Sequence, residues 1–148
     1  MKDKEVNKWF GGSLNLKEEK KFIKKTNKSK EKMLFGIELP ETKKIIGIVS
    51  LIDMDYKNKQ AGLLSWLGNK YWRKGFSFEA KRIVLNYAFN KLKLHRLHAE
   101  VDERNTASMK LLEKVGFKKE GIKRDAIFKN GKYYDETIFG LLKKDFKK

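Results

Sequence analysis

The stretch Trp66-Leu67-Gly68-Asn69-Lys70-Tyr71-Trp72-Arg73-Lys74-Gly75-Phe76-Ser77-Phe78-Glu79-Ala80 governs the reading of this chain. Apolar strand residues stop at Leu67, a turn holding Gly75 and the small Ser77 follows, and a long helical pattern begins. Phe76, Ala80, Ile83, Val84, Tyr87 and Ala88 recur at helical spacing, while Leu85, Phe89 and Leu92 widen the stripe. That pattern predicts a helix buried on much of its girth. The first backbone N–H groups of such a helix have no partner within it, and small residues let an anion approach them closely. Arg73 and Lys74 add positive charge at the same point. A glycine and two basic residues before a helix are common, so the turn alone names no ligand.

Working outward, Met33–Leu39 and Ile45–Ile52 are apolar and β-branched on either side of the turn segment Pro40–Lys44, which predicts an antiparallel hairpin. Ala61–Leu67 reads as a third strand after the polar turn Asp53–Gln60. Nearer the start, Asn15 followed by Glu18 resembles a capping box opening a helix over Leu16–Lys25. Downstream, Arg96–Asp102 alternates Leu97, Ala99 and Val101 with His98, Glu100 and Asp102, the pattern of a half-buried strand. Asn105 can cap a short helix carrying Ala107, Leu111, Leu112 and Val115 and closed by Gly116. Ile122–Phe128 and Tyr133–Leu142 flank Asn130-Gly131, a strong hairpin signal. The order helix, three strands, helix, strand, helix, hairpin predicts an α/β fold: an α+β mixed sheet with a strand–helix–strand crossover at its middle, one domain over residues 1–148.

A hydrophobic content of 40%, with ten Phe and three Trp, argues for a folded globule in spite of 37% charged residues. The net charge of +17 is compatible with nucleic acid, a ribosome surface or a phosphate-rich ligand. Lysines are nevertheless spread through every segment, hairpin tips included, as on an ordinary lysine-rich surface. No helix-turn-helix, aromatic RNA-binding motif or zinc spacing is recognisable, so nucleic acid is not an expected partner. With no cysteine there is no disulfide, thiolate metal site or cysteine nucleophile. No apolar run approaches the roughly 20 residues of a membrane span and no signal-type segment opens the sequence, so a soluble cytoplasmic protein without a membrane partner is expected.

About thirty residues beyond the turn stand Asn105-Thr106-Ala107-Ser108 and then Leu111-Leu112-Glu113-Lys114-Val115-Gly116-Phe117. With Trp72–Ala80, Glu120-Gly121 and Tyr133-Tyr134-Asp135, these segments resemble the GNAT superfamily of N-acetyltransferases in order and spacing. Within it they resemble the RimJ/RimL-like branch, the ribosomal-protein N-terminal acetyltransferases. The likeness runs from about Ile45 to the C-terminus. It implies the GNAT acetyl-CoA-binding fold, acetyl-CoA as co-substrate and no metal. It further implies that the strand ending at Leu67 and the strand Arg96–Asp102 splay apart around the pantetheine arm, which follows the backbone at Trp66 and Leu67. The pyrophosphate would sit on N–H groups across Arg73, Lys74, Gly75, Phe76 and Ser77. Asn105 would orient the pantetheine or the amine, and Ser108 would hydrogen-bond or reprotonate the departing thiolate. A neutral amine would attack the thioester directly while a backbone N–H near Leu67 polarises its carbonyl. Asn105 and Ser108 also have plain structural duties, as helix cap and first-turn residue.

Some positions depart from that pattern. Leu112 stands where many members carry a tyrosine general acid, and Ile127 where some relatives place a catalytic glutamate. Asp125, two residues before Ile127 and expected on the same strand face, is the candidate substitute. His95 and His98 have no evident partner, and Trp9, Trp66 and Trp72 suit core or pocket wall. An α-amino group with a pKa of ~7.7–8.0 is partly neutral at physiological pH, whereas a lysine amine at ~10.4 is almost wholly charged. The missing base therefore points to a protein N-terminal α-amine or a small-molecule amine of low pKa. The alternative is a degenerate GNAT domain that binds acyl-CoA without turnover. The family usually opens with a strand and helix before a region like Asp3–Phe10, so the usual first strand is expected to be absent. A short gene, a misassigned start or a partner supplying the edge would each account for that, and a homodimer is left open.

Overall fold

A computed structural model describes residues 31–147. The predicted helix at Leu16–Lys25, Trp9 and the expected absence of a first strand all fall outside these residues. The chain forms β1 (Met33–Leu39), β2 (Lys44–Asp55), β3 (Gln60–Leu67), α1 (Phe76–Asn90), β4 (Arg96–Asp102), α2 (Thr106–Lys114), β5 (Lys118–Lys129) and β6 (Lys132–Leu142). The strands build one six-stranded mixed sheet in the order β1-β2-β3-β4-β6-β5. Only β3 and β4 run parallel, joined by the predicted crossover through α1; every other neighbouring pair is antiparallel. Among the described residues no helix is long and apolar enough to cross a membrane.

The core lies where α1 and α2 pack on the sheet. Val84, Leu85, Ala88 and Phe89 of α1 and Leu112 of α2 meet Val49, Leu51, Leu63, Leu97, Ala99, Phe139 and Leu141. Each large apolar side chain removed from water there stabilises the fold by roughly 1.5–3 kcal/mol. The second hairpin turns on Asn130 (φ 51) and Gly131 (φ 75), with Lys129 paired to Lys132. Two positive φ angles in a two-residue loop give the type I′ turn that fits the twist of the strands.

Three details differ from the sequence pattern. The buried stripe of α1 is narrower than predicted: it comprises Lys81, Val84, Leu85, Ala88 and Phe89, while Ile83 is 63% exposed. Ile83 lies half a turn from Leu85 and so faces away from the sheet. Tyr87, also at the margin, sets its ring edge-on to Phe35 of β1 at 5.6 Å. The turn between β2 and β3, expected over Asp53–Gln60, is shorter because β2 runs on to Asp55 through an irregularity at Asp53 (φ 50), and Asp55 then accepts hydrogen bonds from Asn58. In β5 the register with β6 slips between Lys123 and Ile127, with Asp125 at φ 51 in the bulge.

The stripe on α1 gives a paired expectation. Leu85→Ala should destabilise the protein by about 2–5 kcal/mol, and Ile83→Ala by no more than about 0.5 kcal/mol, in urea unfolding of both variants. Equal losses would show that the helix is rotated relative to this description.

Candidate active site

Parallel pairing between β3 and β4 is confined to Gln60–Arg96, Ala61–Leu97 and Gly62–His98. Beyond Gly62 each strand keeps its outer neighbour: β3 stays paired to β2 as far as Leu67, and β4 to β6 as far as Asp102. The sheet therefore opens into a wedge between Leu63–Leu67 and Ala99–Asp102. The inner edge of β3 is left with backbone groups that no strand satisfies, an unfavourable state unless water or a ligand pairs with them.

The wedge contains two adjoining cavities. The larger, about 580 Å³, lies between the end of β3, the start of α1 and the start of α2. The smaller, about 250 Å³, is bounded by β3, β4, β5, β6 and the inner side of α2. Ser65, Lys81, Asn105 and Ser108 line both, and so mark the place where they meet.

At the open end of the larger cavity, the Trp72 indole N–H donates to the Leu67 carbonyl at 2.7 Å and pins the turn to the strand. Arg73 (φ 60) and Gly75 (φ 86) then bring the chain round to α1, whose N-cap Gly75 supplies no side-chain cap. The N–H groups of the first turn thus border the cavity without protein partners among the described residues. A Cβ built at Gly75 meets nothing within 4 Å, so open space lies in front of the turn. Positive charge comes from three elements, with Arg73, Arg104 and Lys114 all on the cavity wall. Helix start, open space and cations together suit the phosphate end of a nucleotide-like ligand.

On the opposite wall, Asn105 caps α2 and its side-chain oxygen accepts from the Ser108 N–H at 3.2 Å. Both side chains line the junction, so the cap also sets their position. Trp66, Leu67, Arg73, Gly75, Phe76 and Ser77 line the larger cavity as their sequence positions suggest, whereas Lys74 is exposed and does not. Lys74 belongs to the turn's outer side, and Lys114, reaching over from α2 with its ammonium 4.9 Å from the Phe78 ring, is on the wall instead.

Asp125 is not brought to the cleft: it is exposed and lines neither cavity. The bulge between Lys123 and Ile127 breaks the two-residue alternation that would have put Asp125 beside Ile127, and its N–H donates instead to Asp135 Oδ1 at 2.9 Å. His95 and His98 also lie outside the lining.

The carboxylates on the wall of the smaller cavity are Glu100, Asp102 and Glu136. Lys123 reaches Glu100 at 2.5 Å and Glu136 at 3.8 Å, and the Arg104 Nε–H donates to Asp102 at 2.8 Å. Arg104 also lies over the Tyr134 ring, 3.5 Å from its centre. The hydrogen bond from Lys123 holds Glu100 below the usual carboxylate range, and that from Arg104 does the same for Asp102. Glu136 moves the other way, raised by burial and by the negative charge of Glu100. It is the cleft's carboxylate with increased proton affinity, and it follows directly on the Tyr133-Tyr134-Asp135 segment that drew attention in the sequence.

Lys81 is the least expected member of the site. It projects from the second turn of α1, is 3% exposed, and donates to Ser65 Oγ at 2.5 Å and Ser77 Oγ at 3.0 Å. Burial pushes its pKa down from the usual 10.5 to about 8, and no carboxylate among the described residues pairs with it. Its place at helical spacing among Val84, Leu85 and Ala88 was legible in the sequence, but nothing there separated it from the many surface lysines.

A family model described as an acetyltransferase (GNAT) domain matches residues 1–118. The chain is 38% identical over 112 residues to p20, an uncharacterized N-acetyltransferase of Bacillus licheniformis, covering 76% of this chain and 63% of p20. It is 29% identical over 125 residues to the ribosomal protein uS5 alanine N-acetyltransferase of Escherichia coli, covering 84% and 64% respectively. The matched region thus spans less than two thirds of the length of these relatives. A spermidine N-acetyltransferase from Vibrio cholerae, solved with CoA and spermine, superposes with a TM-score of 0.82 over 97% of this chain and 85% of its own. Its 24% identity makes that a likeness of fold.

Lys81 carries a stability signature. Its folded-state pKa is depressed, so the unfolded chain binds more protons between about pH 8 and 10.5, and the penalty for the buried ammonium is full below that window and fades through it. Lys81→Met should therefore be more stable than the parent at pH 7, by at most roughly 3 kcal/mol before the loss of the serine hydrogen bonds is counted. The advantage should shrink as pH rises from 8 to 10 in parallel urea titrations. A difference independent of pH would mean that Lys81 is hydrated.

Proposed function

The chain belongs to the GNAT acetyltransferase family, and from that premise we propose that it transfers acetyl from acetyl-CoA to a primary amine, preferring a protein N-terminal α-amine to a polyamine. The observation that carries this reading is the junction of the two cavities at Ser65, Lys81, Asn105 and Ser108. One cavity suits the CoA, the other the acceptor, and the reacting atoms meet between them.

The residues on the wall fit CoA. The pantetheine arm lies in the wedge and pairs with the free inner edge of β3 near Trp66 and Leu67. The pyrophosphate rests on the N–H groups of Gly75, Phe76 and Ser77, with Arg73, Arg104 and Lys114 close by. Asn105 orients the pantetheine or the amine from the α2 side. Holding both partners in one cleft removes most of the entropic cost of bringing them together. The amine nitrogen attacks the thioester carbon, and Glu136, whose proton affinity burial has increased, accepts the proton it sheds.

The acceptor preference rests on charge. Glu100, Asp102 and Glu136 each face a cation, Lys123 or Arg104, so the acceptor wall offers little net negative charge to a polycation. A carboxylate base is also a poor match for a lysine-type amine of pKa ~10.4 and a better one for an α-amine of ~7.7–8.0. The E. coli relative, named as an alanine N-acetyltransferase of ribosomal protein uS5, supports a RimJ/RimL-like assignment.

Gly75→Val should weaken CoA binding at least about tenfold by calorimetry, because a β-branched residue is strained at φ 86 and fills the space before the helix start. Unchanged affinity in the folded variant would place the phosphates elsewhere. For the acceptor, initial rates near pH 7.5 should be highest for a peptide with a free α-amine. An N-terminally blocked lysine peptide and spermidine should lag by roughly two to three powers of ten, the difference in neutral amine. A preference for spermidine would overturn the acceptor assignment while leaving the CoA site intact.

A further inference from the structure

Resting on that reading of the cleft, we propose that Lys81 is a catalytic residue, the cation that meets the departing CoA sulfur and gives it a proton. The Lys81 ammonium has three N–H donors. Ser65 Oγ takes one from the β3 side and Ser77 Oγ another from the first turn of α1. No third protein acceptor lies within reach among the described residues, yet the side chain is 3% exposed and borders both cavities where they join. A buried charge of this kind is costly unless something with complementary charge forms beside it. In acyl transfer from a thioester, the complementary charge is the thiolate, and it forms at that junction.

The other groups at the junction cannot do the same. Ser108 and Asn105 are neutral: they can hydrogen-bond to sulfur but supply no charge. The charged side chains on the wall of the smaller cavity are Glu100, Asp102, Lys129 and Glu136, and none forms an ion pair with Lys81. The C–N bond forms and the C–S bond breaks, sulfur keeps the bonding pair, and an Nζ proton of Lys81 passes to sulfur. The proton lost by the attacking nitrogen goes to Glu136; as the products leave, Glu136 releases that proton to solvent and Lys81 regains one from it. Its pKa of about 8 suits the exchange, being close to that of a thiol, ~8.5.

The absence of cysteine makes a direct test available, because the thiol of bound CoA is then the sole thiol in the complex. Calorimetry first establishes that CoA binds. Thiolate absorbance in the ultraviolet is then followed against pH for free CoA and for the CoA complexes of the parent protein, Lys81→Met and Lys81→Arg. The matching desulfo-CoA complex is subtracted each time to remove tyrosine ionisation. An ammonium beside the sulfur should lower the thiol's titration by about one pH unit or more in the parent complex. The shift should vanish in Lys81→Met and persist in Lys81→Arg, which keeps the charge. Equal titration of free and parent-bound CoA would overturn the proposal, even if Lys81→Met failed to fold. So would a shift that survives in Lys81→Met. Failure of CoA to bind the parent at all would instead overturn the reading of the cleft, and this proposal with it.

Discussion

The site depends on a sheet that stays whole at one end of two adjacent strands and separates at the other. Gly62 and His98 are the last pair between β3 and β4, and beyond them each strand is held by its outer neighbour alone. Those outer ladders run the full length of the wedge, β2 against β3 and β6 against β4, so the opening costs the rest of the sheet nothing. What it creates is a stretch of strand edge inside the molecule, with backbone donors and acceptors that must find partners. The crossover helix begins just past the wide end of that gap. Its free N–H groups and the free strand edge consequently face one continuous space, and an extended ligand with an anionic end can satisfy both.

Charge inside that space is sorted by position. Arg73, Arg104 and Lys114 line the larger cavity, Arg73 and Lys114 exposed and Arg104 held on Asp102. Along the acceptor side, carboxylates and cations are paired across strands. Lys81 is buried at the junction, its partners among the described residues are two hydroxyls, and its burial depresses its proton affinity. An ion placed there stabilises charge that appears only transiently, in surroundings of low dielectric where its effect is largest.

Much of this was legible in the amino-acid order. Asn130-Gly131 specified its turn because few other pairs adopt two positive φ angles at low cost. Asn105 specified the start of α2 and, through the cap, the location of Ser108. Gly75 marked the helix start, where φ 86 suits glycine. The misses have equally local causes. Asp125 looked like a neighbour of Ile127 because strand alternation was assumed, and a bulge that bends the strand has no sequence mark as firm as a glycine turn. Lys74 seemed a cleft residue by proximity in sequence, yet the turn before α1 leaves it exposed, and the cations on the wall are its neighbour Arg73, Arg104 before α2 and Lys114 of α2. Glu136 acquires its raised proton affinity from burial and from Glu100 on another strand, surroundings that exist only after folding.

Backbone amide hydrogen exchange with and without CoA reads out whether the wedge and the helix start together hold the ligand. Exchange should slow at Leu63–Leu67 on the inner edge of β3 and at Gly75–Phe78 at the start of α1, with the β5–β6 turn at Asn130-Gly131 unaffected. Binding of CoA that leaves both segments exchanging at their original rates, or that protects the outer edge at β5 instead, would contradict it.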